Sequence, residues 1–177
     1  MKLEAQKYDL KNIKVRYIIY GIIALILMLI ELLFINIISI ENVTPDLLLI
    51  LCVWISLAEG QFPGIFAGFT IGLIFDIISG DVIGTNALAK LVAAYIAGFF
   101  HKERNLKANL NTFRFVLVVL LSAFIHNLIY FFFYLKPAET SFARFFLQYG
   151  VAATFYTVLF SAIAILIRIP AKEIDID

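Results

Sequence analysis

The residues with the most chemistry to offer sit in apolar surroundings. Between Gly68 and Lys90 the chain reads GFTIGLIFDIISGDVIGTNALAK, which sets Asp76, Asp81, Asn86 and Lys90 among aliphatic and aromatic side chains. Glu31 interrupts an apolar run upstream, Asp46 follows Thr44-Pro45, and His126-Asn127 falls inside another apolar run. Paired carboxylates can share a proton, a histidine can pass one on, and clusters of either can hold a metal. The spacing supports none of these uses. There is no GxSxG, no HExxH and no nucleotide-binding glycine loop. His101, His126 and Cys52 are too few and too scattered for a zinc site, and a lone cysteine forms no internal disulfide. Nothing brings Asp76 together with Asp46 or Asp81 as a proton-sharing dyad. No catalytic, cofactor-binding or metal-binding residue is therefore assigned.

The composition explains why such groups need a special reason to be there. Hydrophobic residues make up 63% of the 177 and charged residues 15%, too apolar a balance for a water-soluble surface. The mean hydropathy of +0.98 points the same way. The solvent is lipid. A formal net charge of +1 offers no basic stripe for nucleic acid.

Six apolar segments follow one another: Tyr17–Ile38, Pro45–Leu57, Pro63–Ile78, Val82–Phe100, Phe113–Leu135 and Phe145–Ile167. A spanning helix needs about 20 residues, so the second and third are short and read as a helical hairpin. The glycine, proline and charge of EGQFPG favour a turn between them over a five-span fusion. Lys2, Lys7, Lys11, Lys14 and Arg16 precede the first span. Lys102, Arg104 and Lys107 lie between the fourth and fifth, with Arg114 just after that connection, and Arg168 and Lys172 follow the sixth. The opposite loops carry only Lys136 and Arg144, so both termini are expected in the cytoplasm. The organisation is a basic cytoplasmic arm, 1–16, one transmembrane domain, 17–168, and a cytoplasmic tail, 169–177. The run from Tyr17 to Ile38 is too long for a cleaved signal and reads as a retained anchor. Outside, Ser141 is a candidate helix cap, and YFFFYL from Tyr130 forms an interfacial aromatic belt.

Gly64, Gly68 and Gly72 recur every fourth residue in the third span, and Asp76 and Gly80 continue the line. Such a ridge lets another helix approach closely in lipid. It serves either packing within the chain or docking of a partner's transmembrane helix, and these three glycines are the candidate partner-packing residues.

Counting 1.5 Å per helical residue places Glu31 and Lys90 at matching depth, about 10 Å below the outer surface. Asp76 falls about one turn below that surface, and Asp46 and Asn86 begin their spans at it. A lone charge in mid-bilayer costs about 2.5–3.5 kcal/mol, so Lys90 is expected to pair with Glu31 or Asp76. Glu31, Asp46, Asp76, Asn86 and Lys90 thus form a candidate outer polar cluster or pocket. Local signals add Thr44 as a helix cap with Pro45 first and Asp46 in the first turn, and Asn86 as the cap of the fourth span. His126 reads as a hydrogen-bonded buried histidine, and Asn127, Thr154, Thr157 and Ser161 as polar glue between helices.

The stretch from Thr44 to Phe100 resembles the rod shape-determining protein MreD family. The matching residues are Pro45-Asp46 followed by leucines, then Gly68, Gly72, Asp76 and Ser79-Gly80, then Gly84, Asn86-Ala87-Leu88 and Tyr95. Lys90 departs from the family pattern, which usually has an apolar residue there. The resemblance implies an all-α, six-helix integral protein of the bacterial cytoplasmic (inner) membrane, similar in fold to the S components of energy-coupling-factor transporters. It implies a non-enzymatic scaffold of the cell-elongation machinery, without a cofactor, that binds MreC. Through MreC it would connect MreB filaments with a SEDS glycosyltransferase and a class B penicillin-binding protein. A homodimer through a glycine-rich face stays open. The alternative is a small-molecule-binding transporter subunit of the S-component type.

Overall fold

The structure, a computed structural model, describes residues 2–39, 43–102, 112–134 and 142–166. The candidate cap Ser141, the charges Arg104, Lys107, Lys136, Arg168 and Lys172, and the tail 169–177 lie outside the described residues. Every element described is helical. In order they are α1 (Lys2–Ile38), α2 (Leu47–Glu59), α3 (Gln61–Ser79), α4 (Thr85–Gly98), α5 (Thr112–Tyr134), α6 (Phe142–Phe145) and α7 (Val151–Leu166). The last two are joined without a break by a π-helical turn, Phe146–Gly150.

The basic arm and the first span are one helix of 37 residues. No glycine or proline precedes Gly21 to interrupt it. The EGQFPG stretch does break the chain into two helices. Gly60 adopts φ 103°, ψ 177°, a conformation that ends α2 and that a side chain would strain. Its N–H still donates to the Ser56 carbonyl.

Among the described residues, four stretches are long and apolar enough to cross a membrane: Ile13–Leu33, Gln61–Ser79, Phe113–Phe133 and Phe142–Ala164. The helices α2 and α4, of 13 and 14 residues, are the most buried. α2 has 13 residues and touches α1, α3, α4, α5 and α7, so longer helices surround it. Leu48, Cys52, Val53 and Leu57 of α2 are fully buried, packed with Ala94 and Ala97 of α4 and Phe115 and Val119 of α5. The outer surface differs from that of a water-soluble protein. Asp76, Lys90, Ser56 and Thr157 are enclosed, while Leu25, Leu33, Phe62, Phe66, Ile83 and Phe113 face outward. An apolar perimeter, with the charged and polar side chains drawn inside among an apolar core, fits lipid as the solvent.

Candidate functional site

The glycine stripe is filled by the chain's own helices. A Cβ at Gly72 would lie 2.6 Å from the Ala87 Cα, and one at Gly68 2.7 Å from the Lys90 carbonyl oxygen. A Cβ at Gly64 would collide with Ser56 of α2. Backbone meets backbone along the α3–α4 seam, the tightest contact two helices can make in lipid. Of the two uses open to Gly64, Gly68 and Gly72, the structure shows packing within the chain in place of a partner-packing surface. Gly64 admits α2, and Gly68 and Gly72 admit α4, the neighbour supplied by the tight turn after α3.

The polar residues are arranged around two helix N-termini. An α-helix begins with N–H groups that have no partner within the helix, together with about half a positive charge. In water these cost little. Inside a bundle they require acceptors.

At α4 the acceptor is Asp76, which is fully buried. Its Oδ2 accepts from Gly84 N–H at 2.8 Å and Ala87 N–H at 3.3 Å, and its Oδ1 from Asn86 N–H at 3.1 Å. Gly84, at φ 98°, turns the chain so that these amides point at α3. Asp76 is therefore the cap, and the expectation that Asn86 caps its own helix is corrected. The Asn86 side chain instead accepts from Lys90 Nζ at 3.1 Å and donates to Asp81 at 3.4 Å.

At α2 the arrangement is deeper. Asp46 is itself the cap residue, in extended conformation, and its Oδ1 accepts from Leu49 N–H at 2.6 Å. Thr44 was expected to cap with Asp46 inside the first turn; the helix begins two residues later. Glu31 reaches across from α1 and accepts from the N–H groups of both Leu47 and Leu48, the latter at 3.0 Å. The backbone N–H of Asp46 donates to Thr157 in the interior of α7 at 3.0 Å. Asp46 thus lies level with the interior of the surrounding helices, against Lys90, His126 and Thr157, and not at their ends as expected. The chain descends into the bundle before α2 starts, which is why a helix of 13 residues suffices.

Lys90 pairs with neither expected carboxylate. Its ammonium lies 2.5 Å from Asp46 Oδ2, with the Lys90 side chain 1% exposed. The correction follows from the depth of Asp46, since Glu31 and Asp76 are already engaged with backbone amides. His126 completes the cluster, its Nε2 3.4 Å from Asp46 Oδ2 and its ring stacked on Tyr130. Asn127 Nδ2 donates to Thr154 Oγ1 at 2.9 Å, and both side chains reach the Gly150 carbonyl at the π-helical turn.

Of the five cluster residues taken from the sequence, Asp46, Asn86 and Lys90 meet directly. Glu31 joins them through the first amides of α2, and Asp76 through those of α4. The sequence reading missed that His126 and Thr157 belong to the same cluster. The signal was there in His126-Asn127 and in the Thr154, Thr157, Ser161 stripe, each a polar patch on an otherwise apolar helix. At the other end of α2, Glu59 accepts from Tyr20 at 2.9 Å and pairs with Arg16 at 3.1 Å.

Chemically, the arrangement balances charge and satisfies amides. Two carboxylates face one ammonium and the positive end of a helix. Among the described residues no group of three or more His, Cys, Asp or Glu is placed to hold a metal.

The rod shape-determining protein MreD family model matches residues 11–169, nearly the whole chain. The chain belongs to the MreD family. No curated protein and no solved structure matches it. Membership assigns MreD's role, rod-shape determination by a membrane protein, which is not the province of a known enzyme family. The residues that carry the MreD resemblance converge on the two capped helix starts and the seam. Pro45-Asp46 opens α2, Gly68 and Gly72 admit α4, Asp76 caps it, and Gly84 aims its amides.

Proposed function

We propose that this member of the MreD family is a non-enzymatic scaffold of the bacterial cell-elongation complex that binds MreC. In this reading it crosses the cytoplasmic membrane six times with both termini inside, and connects through MreC to MreB and to the peptidoglycan synthases. One observation supports the scaffold reading beyond family membership. The buried Lys90, Asn86, His126 and Asp76 and the half-buried Asp46 and Glu31 bond to one another and to helix ends. A small-molecule-binding subunit needs converging polar groups that leave room for the ligand. Here they converge on themselves and brace the bundle, while the outward faces of α1, α3 and α5 stay apolar and suited to other membrane helices.

The test is co-purification of the full chain with an MreC-type partner from membranes in mild detergent. A stable complex is expected. A monodisperse, folded preparation that never retains the partner would overturn the reading. The topology is tested separately, with single cysteines introduced at residues 8, 81 and 172 after Cys52→Ser. Only the residue-81 probe should react with an impermeant thiol reagent added from outside.

A further inference from the structure

α1 is fastened to α2 at two places. Glu31 holds the start of α2, and Arg16 with Tyr20 holds Glu59 at its end. Between these points α1 and α3 stand apart around an open groove of about 520 Å³. Tyr17, Gly21 and Ala24 form one wall, and Phe62, Phe66 and Ala67 the other. Each set follows helical spacing, so the walls run as parallel stripes along the two helices. The groove is of ligand-binding size. A flexible, narrow hydrocarbon chain fits.

The mouth of the groove supplies the second half of a site. One turn before Tyr17 toward the N-terminus, Lys14 is exposed, and the Arg16 side chain is 51% exposed even with one nitrogen on Glu59. Basic side chains at the cytoplasmic mouth of a cleft between membrane helices suit an anionic lipid headgroup. We propose that this groove binds an anionic phospholipid of the inner leaflet, one acyl chain between α1 and α3 and the phosphate against Lys14 and Arg16. The choice of leaflet rests on the orientation proposed above. The test reads bound lipid directly, so its outcome is separate from that of partner binding.

Delipidated full-length protein is mixed with equal amounts of phosphatidylglycerol and phosphatidylethanolamine of identical chains and examined by native mass spectrometry. One retained phosphatidylglycerol is expected, favoured about tenfold over the zwitterionic lipid. Gly21→Leu fills the groove and should abolish that adduct. It should leave thermal unfolding in lipid-free detergent unchanged, because a Cβ at Gly21 meets nothing within 4 Å. Lys14→Gln leaves the groove open and should lower the preference several-fold. Equal retention of the two lipids overturns the proposal. So does an adduct that survives Gly21→Leu, a preference untouched by Lys14→Gln, or a protein dimer in place of the lipid adduct.

Discussion

On one side α3 meets α4 through Gly68 and Gly72, where a Cβ would lie 2.7 Å from the Lys90 carbonyl oxygen and 2.6 Å from the Ala87 Cα. On its other side it faces α1 across a groove in which a Cβ at Gly21 would have nothing within 4 Å. Both regions use small residues on apolar helices, and they differ in what fills the space made. At the seam it is filled by a neighbouring backbone, held in register by Asp76 on the first amides of α4. At the groove the helices are held apart, pinned by polar contacts at the two ends of α2. Small residues in a membrane helix thus make room. What occupies the room depends on where polar anchors fix the helix axes.

The sharpest way to break this comparison is a matched pair of substitutions. Gly72→Leu should abolish the monodisperse peak in detergent size exclusion, because the obstacle is backbone and cannot rotate away. Gly21→Leu should leave that peak intact. Equal behaviour of the two would refute the distinction between seam and groove.

Next in size is the buried pair. Lys90→Met removes the cation and leaves Asp46 with only His126 and the Leu49 amide beside it, a loss of about 3 kcal/mol, read as a lower apparent Tm. Adding Asp46→Asn should restore part of it, since the amide oxygen can still cap Leu49. A double variant no better than the single one would mean that Lys90 and Asp46 act independently.

Asp76→Ala should cost about 2 kcal/mol, because three amides at the start of α4 lose their acceptor. Asp76→Asn should fall between it and the natural protein. The same melting curves check both, and an Asp76→Ala protein as stable as the natural one would remove the cap from the account of the seam.

The smallest effect is expected on the groove side. Arg16→Gln breaks a half-exposed ion pair with Glu59, worth about 0.2–1 kcal/mol. Its clearer readout is the mobility of α1, followed by a spin label at residue 18. Mobility should rise there and stay constant for a label at residue 83.

Lipid as solvent, the helical segments and the break at Gly60 follow from composition and local chemistry, which act over a few residues and leave a readable pattern. That Asp76, Asn86 and Lys90 matter together was legible too, because ionisable groups are costly in an apolar run wherever they end up. The partners were not legible. Depth arithmetic assumed that every span begins at the membrane surface, and α2 does not. Once α2 starts inside the bundle, Asp46 moves to the level of Lys90 and takes its ammonium, while Glu31 is drawn to the free amides of Leu47 and Leu48. The sequence alone determined which groups had to find partners, through the cost of leaving them bare in hydrocarbon. Only the tertiary structure decided which partner each found, because that depends on where helix ends come to rest.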